Sequence, residues 1–260
     1  MELSSDFYAQ QSSWAQRIDA RVKLLSVMSA IVAVVSAQTP LFPLVIMTAA
    51  CGMTISAGVP LRYIVVRFGA SAATAAIVAL VHAVTTGVTP LATFSIGPVV
   101  LRVTHEGVCG SVVLLSRIFG AISLIIFLGA TTSAPLLFRA LRWLRVPAEW
   151  VEIAGMMYRS IFLFFEAASD ILVSQRVRLG YATWRSSIRS LAGLSGAILI
   201  RSLDQAVRTA ESMKIRGYTG QIASVTAPPV QLSGVGMMIT VNAIVWGLWL
   251  FVHRTAVFSW

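Results

Sequence analysis

The stretch GSVVLLSRIFGAISLIIFLGATT, residues 110–132, decides the fold class of this chain, because it holds a single charged side chain, Arg117. An α-helix rises 1.5 Å per residue, so about 20 consecutive apolar residues cross the hydrocarbon core of a bilayer. The stretch predicts a membrane-spanning helix, and we interpret Arg117 as a side chain that snorkels to the surface.

The composition of the whole chain agrees with a membrane protein. Of its 260 residues, 57% are hydrophobic and only 12% are charged, and the mean hydropathy is +0.82. Soluble domains carry about 25% charged residues. These values exclude a soluble enzyme and a disulfide-stapled secreted domain, and the two cysteines show no metal or redox spacing.

Four further apolar runs predict spans, and residues 24–37 and 41–58 are expected to form a helical hairpin. Residues 63–88 are rich in glycine, alanine and serine, which predicts close packing against another helix. The last span is predicted at residues 230–252. Residues 89–109 are less apolar, and the sequence leaves open whether they enter the membrane.

The basic residues predict the orientation of the spans. The formal net charge is +10, and 12 of the 20 basic residues lie between Arg139 and Arg216. Cytoplasmic loops of membrane proteins carry an excess of arginine and lysine. We therefore expect a multi-pass membrane protein with five spans and the N-terminus inside the cytoplasm. We attribute the positive charge to the bias of cytoplasmic loops, with the lipid bilayer as a partner and without nucleic acid. Residues 1–20 do not resemble a signal peptide.

A cytoplasmic helical arm is predicted between the fourth and fifth spans. Residues 136–146 form a short amphipathic helix that Pro147 ends, and long helices are predicted over about 148–180 and 186–214. Each long helix carries a narrow polar stripe, so we expect the two to bury their apolar faces in each other and in a membrane partner. The expected division is 1–132 for the N-terminal segment and four spans, 133–220 for the arm, and 221–260 for a linker and the last span.

Both long helices end in arginine followed closely by glycine. The first ends SQRVRLGY, residues 174–181, and the second ends ESMKIRGYTG, residues 211–220. Capping accounts for part of this pattern, because a cation meets the negative end of the helix dipole and glycine adopts the left-handed conformation. Its repetition indicates two exposed arginines that dock into acidic pockets of a soluble partner.

A known family carries the same pattern. The stretch AESMKIRGYTG, residues 210–220, resembles the second signature of the T-components of energy-coupling factor transporters, and in particular the CbiQ-like subgroup of cobalt and nickel uptake. The opening, Tyr8-Ala9 followed by IDARVKL at residues 18–24, is similar to the start of that subgroup. The resemblance implies an all-α integral membrane protein of the bacterial cytoplasmic (inner) membrane that acts as the scaffold of an ATP-driven importer.

The resemblance also implies the sites and partners. Two coupling helices would each dock an arginine tripeptide on a CbiO-like dimer of ABC-type ATPase subunits, while the membrane part would hold a CbiM- or NikM-like substrate-binding subunit. The tripeptides are Val177, Arg178, Leu179 and Ile215, Arg216, Gly217, with Arg176, Lys214 and Tyr218 as additional docking residues. Arg176 competes with Arg178 for the first site. ATP and magnesium would be bound by the ATPase, with no cofactor in this chain. The choice between cobalt and nickel stays open, as does the subunit stoichiometry.

Other functions lack their sequence signals. No phosphate-binding loop, H-E-x-x-H or G-x-S-x-G motif occurs, so a non-catalytic subunit without a catalytic or metal site is predicted. His82, His105 and His253 lie far apart and are interpreted as structural. A membrane enzyme would need clustered carboxylates or histidines in its spans. A conventional ABC permease and a stand-alone secondary transporter remain as alternatives, although the latter would require intramembrane charges.

Overall fold

The computed structural model describes residues 18–86, 90–96, 99–218 and 232–257. In these residues the chain forms helices and one two-stranded hairpin, so the predicted all-α class is confirmed. The elements in chain order are α1 (Ala20–Ser36), α2 (Leu41–Ser56), α3 (Leu61–Thr85), β1 (Pro90–Ile96), β2 (Val99–Thr104), α4 (His105–Thr131), α5 (Ala134–Trp143), α6 (Ala148–Val177), α7 (Trp184–Ile215) and α8 (Leu232–Val257).

The described residues belong to two compact units. The first unit falls within residues 1–140 and 228–260 and contains α1 to α4, the hairpin and α8. The second falls within residues 141–227 and contains α6 and α7. The short helix α5 joins the two ranges.

Two helices of the first unit are long and apolar enough to cross a bilayer. They cover Leu61–Ala83 and Glu106–Thr131, and they correspond to the spans predicted at 63–88 and 110–132. Shorter apolar helices cover Leu41–Ser56 and Ile239–Val252. The number of five spans and the orientation of the chain stay predictions.

The stretch between these two helices forms the hairpin. Strands β1 and β2 pair in antiparallel fashion from Pro90 to Thr104, and α4 follows directly. The hydroxyl of Thr104 accepts a hydrogen bond from the backbone N–H of Gly107 at 3.2 Å and thereby caps the start of α4. The long helix therefore begins where the hairpin ends.

Helix α4 is the centre of the first unit, since it packs against α1, α2 and α3. Small residues allow the close approach of α3: Ala75 and Ala79 are buried, and the Ser111 hydroxyl donates to the Ala79 carbonyl at 2.9 Å. Helix α3 packs against α4 as predicted, but Gly69, Ala70, Ala73 and Ala76 of its small residues are exposed. The core cluster lies mainly between α1, α2 and α4 and comprises Val27, Ala30, Ala33, Val34, Ala37, Phe42, Ile46, Ala50, Leu124 and Phe127.

Two basic side chains inside this unit cap the ends of neighbouring helices. Arg117 Nε, on α4, donates to the carbonyl of Ala37, the C-cap of α1, at 2.7 Å. Lys23 Nζ, on α1, donates to the carbonyl of Thr131, the last residue of α4, at 3.0 Å. The last carbonyls of a helix have no partner within it and carry partial negative charge. Each of the two helices therefore provides a hydrogen-bond donor for a carbonyl at the C-terminal end of the other.

This contact of Arg117 was not predicted from the sequence. Snorkelling of the half-buried guanidinium stays a prediction, while its Nε is bonded to the helix-end carbonyl of Ala37. Lys23 is 5% exposed, so its ammonium is held inside the unit.

Replacing either cation with methionine is expected to destabilise the first unit. In Arg117→Met and Lys23→Met, a buried carbonyl loses its partner, and the free energy of unfolding should fall by about 1–3 kcal/mol. Thermal unfolding of the purified chain in mild detergent measures this change. The matched control is Arg62→Met, because Arg62 is exposed at the start of α3.

The two losses are expected to add in the double variant. The capped ends lie about 21 Å apart along α1, from the helical rise, and distant sites without shared partners combine additively. Cross-capping would be refuted by variants no less stable than Arg62→Met.

Candidate partner-docking site

The second unit consists mainly of two long helices whose boundaries agree closely with the predicted ones. Pro147 precedes α6, and the Thr183 hydroxyl caps α7 by accepting from the Ser186 N–H at 3.3 Å. Both helices end at a candidate docking tripeptide. We call Val177, Arg178 and Leu179 the first tip, and Ile215, Arg216 and Gly217 the second tip.

The first tip closes α6 with a Schellman motif. The N–H of Gly180 donates to the carbonyl of Gln175 at 2.8 Å, and the N–H of Leu179 donates to that of Arg176 at 3.0 Å. Leu179 adopts the left-handed conformation that this motif requires, with φ of 56°. Arg178 is therefore the C-cap residue of the helix.

The second tip closes α7 in the same way. The N–H of Tyr218 donates to the carbonyl of Met213 at 3.0 Å, and the N–H of Gly217 donates to that of Lys214 at 3.0 Å. Gly217 is the left-handed residue, with φ of 74°. Arg216 is the C-cap residue.

The two Schellman motifs show which arginine at the end of α6 is structurally equivalent to Arg216, a point that the sequence left open. Arg178 and Arg216 occupy the same C-cap position, whereas Arg176 lies two residues earlier and is equivalent to Lys214. Glycine is a misleading guide, because Gly180 comes one position after the left-handed residue while Gly217 is itself that residue. Arg178 is distinguished from Arg176 by the positive φ of the residue after it, Leu179, and this angle is not apparent from the amino-acid sequence.

A third helix end shows that the motif does not require arginine at its C-cap. At the end of α5, the N–H of Val146 donates to the carbonyl of Leu141 at 3.3 Å, and Arg145 is left-handed with φ of 65°. The residue at the C-cap position is then Leu144. Backbone N–H groups satisfy three carbonyls at each tip, those of residues 174–176 and 212–214, so the arginine side chains are not needed as donors to them.

Each tip presents its arginine beside exposed aliphatic side chains. Val177 is 79% exposed, Leu179 74% and Ile215 87%, and both C-cap arginines are exposed as well. At each tip these aliphatic side chains directly adjoin the exposed arginine in the chain, so apolar and cationic surface are presented together. The combination suits a pocket with apolar walls and an acidic group.

Hydrogen bonds fix the corner that follows the first tip. The hydroxyls of Ser186 and Ser190 both donate to the carbonyl of Gly180 at 2.9 Å, and Gln175 Nε2 donates to the carbonyl of Ser190 at 3.0 Å. Tyr181 donates its hydroxyl to Gln175 Oε1 at 2.8 Å. We call these five residues the corner lock, since they tie the end of α6 to the first turns of α7.

The remaining surface of the two helices is largely open in the single chain. No residue of α6 is buried, and Leu194 is the buried residue of α7. The expectation that these helices bury their apolar faces in each other is therefore wrong for this chain by itself, because their packing covers too little of either face. Burial in a membrane partner stays a prediction.

The described residues contain no group of three His, Cys, Asp or Glu side chains that could hold a metal ion. Cys51 and Cys109, the two cysteines of the sequence, are not joined by a disulfide. Some residues of the sequence signatures, namely Tyr8, Ala9, Thr219 and Gly220, lie outside the described part of the chain.

Comparison with known proteins identifies a family that matches most of this chain. The CbiQ family, described as cobalt transport protein, matches residues 11–227. The cobalt transport protein CbiQ of Rhodobacter capsulatus is 34% identical over 149 residues, which are 57% of this chain and 61% of that protein. A putative fused cobalt transport protein CbiMQ of Methanocorpusculum labreanum is 29% identical over 215 residues, which are 80% of this chain.

A further relative is the cobalt transport protein CbiQ of Salmonella typhimurium, 28% identical over 130 residues and 50% of this chain. The matches cover only part of each relative: 61% of the Rhodobacter protein, 35% of the fused protein and 58% of the Salmonella protein.

The corner lock predicts opposite responses to two glycine-to-alanine substitutions. A Cβ on Gly180 would lie 2.6 Å from Ser190 Oγ and 2.9 Å from the Gln175 carbonyl oxygen, so Gly180→Ala should destabilise the corner by about 1–3 kcal/mol. Gly193→Ala is the matched control, because the nearest atom to its Cβ would be 3.8 Å away. It should stabilise α7 by about 0.5–1 kcal/mol.

Hydrogen–deuterium exchange of the amides in residues 175–190 reports the difference locally. We expect faster exchange in Gly180→Ala and unchanged or slower exchange in Gly193→Ala. Equal exchange in the two variants would contradict a corner held by close approach at Gly180.

Proposed function

Because this chain belongs to the CbiQ family of cobalt transport proteins, we propose that it is the membrane scaffold and energy-coupling subunit of an ATP-driven importer of cobalt or nickel. The observation that carries the proposal is the equivalence of the two tips. Arg178 and Arg216 share one position in one backbone motif, and both are exposed beside exposed aliphatic side chains.

The distance between the tips favours two separate docking pockets. The first tip lies just before the start of α7 and the second lies at its end, and a helix of 32 residues is about 48 Å long. One pocket cannot take both arginines. A dimer of ABC-type ATPase subunits, with one pocket on each subunit, satisfies this requirement.

The arginine chemistry suits a mechanical role. A guanidinium remains charged at any physiological pH and forms bidentate hydrogen bonds with carboxylates, so it holds its partner while that partner moves. ATP and magnesium are bound by the ATPase subunits. When these subunits close on ATP, their docking pockets move. Helices α6 and α7 then transmit this motion towards the membrane-spanning helices.

A CbiM- or NikM-like membrane subunit is proposed to bind the metal ion. The name of the fused CbiMQ relative supports this partner, since it describes a single chain that combines the two components. Cobalt or nickel is then the cargo of the complex.

The arrangement of charges inside the first unit, which contains both membrane-span candidates, favours a scaffold over a secondary transporter. Ionisable groups in a transporter core usually serve as ion or proton sites. Arg117 and Lys23 instead donate to the helix-end carbonyls of Ala37 and Thr131. These two side chains are therefore engaged in holding helices together.

The proposal predicts that the two C-cap arginines are required for ATPase binding. The Arg178→Ala/Arg216→Ala variant should recover at least tenfold less ATPase in a detergent pull-down with the tagged chain as bait, because both anchoring contacts are lost. Mass spectrometry for a Walker-motif ATPase and an ATP hydrolysis assay measure the effect. Each single variant should reduce metal uptake while the protein still inserts into the membrane.

Arg176→Ala is the matched control, because Arg176 is exposed and lies two residues before Arg178. We expect this variant to recover the ATPase at nearly the wild-type level. If the wild-type chain recovers no ATPase, or if the double variant recovers as much as the wild type, the proposed scaffold role is wrong.

A further inference from the structure

We propose that the two tips are not interchangeable, and that the first tip requires a pocket with a subsite for the aliphatic side chain of Leu179. The proposal rests on the ATPase-docking function above and specifies the partner surface further. Leu179 then acts as a specificity-determining residue, while the corner lock positions it.

The backbone of Leu179 is the first observation. Its φ of 56° lies in the left-handed region, which glycine and asparagine adopt readily and a bulky aliphatic residue rarely adopts. Gly217 occupies the equivalent position of the second tip without such strain. A residue in a strained conformation directs attention to what its side chain does.

Folding of this chain does not explain the leucine. The side chain is 74% exposed, so it adds little to the core of the second unit, and the motif that it completes needs only a left-handed backbone. Glycine would serve that motif better. Arg145 shows that a non-glycine residue can hold this position, with φ of 65°. An aliphatic side chain at the exposed first tip gains apolar contact when a partner surface covers it, which glycine cannot.

The corner lock makes this side chain a well-placed binding group. The carbonyl of Gly180, the next residue, accepts from both Ser186 and Ser190, so the chain cannot swing away immediately after Leu179. A preorganised apolar group loses little conformational freedom on binding. The first tip therefore presents two aliphatic side chains, Val177 and Leu179, on either side of Arg178.

The second tip has no side chain after its arginine, because the residue there is Gly217. Ile215 precedes Arg216, but Gly217 follows it, and a Cβ built at Gly217 would meet no atom within 4 Å. The glycine there is not imposed by crowding in this chain. The second tip therefore offers no aliphatic side chain after its arginine, whereas the first tip offers Leu179.

Leu179→Gly and Leu179→Asn test the proposal, because both remove the aliphatic group and both suit a left-handed backbone. The thermal midpoint of the full-length chain in detergent should be unchanged or higher. The Kd for the purified CbiO-type ATPase dimer should rise about tenfold, as for loss of a buried contact at a binding hot spot. A purely structural role would move stability and binding in the same direction.

Two further variants complete the experiment. Leu179→Met keeps a large aliphatic side chain, so it should bind within about twofold of the wild type. Leu203→Gln removes a similarly exposed leucine, 60% accessible on α7 and far from either tip, and it should leave the Kd unchanged.

The outcomes separate this inference from the proposed function. If Arg178→Ala weakens ATPase binding but Leu179→Gly and Leu179→Asn do not, the aliphatic subsite is wrong and the docking function stands. If neither the arginine nor the leucine variants weaken binding, the docking function itself fails. Lower thermal stability in both Leu179→Gly and Leu179→Asn would overturn the assignment by showing that leucine stabilises the fold.

Discussion

The carbonyl groups at helix C-termini impose the constraint on which the described structure depends. Where a helix ends away from water, these groups need donors, because an unpaired buried carbonyl costs about 1–3 kcal/mol. Helices α1 and α4 provide donors for each other through Lys23 and Arg117. The exchange holds the two helices side by side at both ends, and the core formed with α2 fills the space between them.

The same constraint is met differently at the ends of α6 and α7. There the backbone turns back on itself, and N–H groups of the residues after the helix satisfy its last carbonyls. The side chains of Arg178 and Arg216 are consequently not needed for capping. The first unit uses Lys23 and Arg117 to hold helices together, whereas Arg178 and Arg216 at the two tips are exposed.

The sequence predicted a large part of this arrangement. The apolar runs located the membrane helices, Pro147 and the glycines after residues 178 and 216 marked the limits of the arm helices, and the arginine repeat singled out both tips. The hydrogen bond of Arg117 was missed, because its acceptor Ala37 lies 80 positions away and no local pattern links them. The expected burial of α6 in α7 failed because an amphipathic pattern shows that a face is apolar without showing what covers it.

The sequence by itself determined which segments are helical, which of them suit a bilayer, and the CbiQ family, because periodicity, hydropathy and motif spacing are local properties of the chain. Only the tertiary structure decided three further points: the cross-capping of α1 and α4, the corner lock around Gly180, and the equivalence of Arg178 with Arg216. The first two join residues that are brought together by folding. The third depends on the left-handed backbone of Leu179, which packing and hydrogen bonds maintain against the intrinsic preference of leucine.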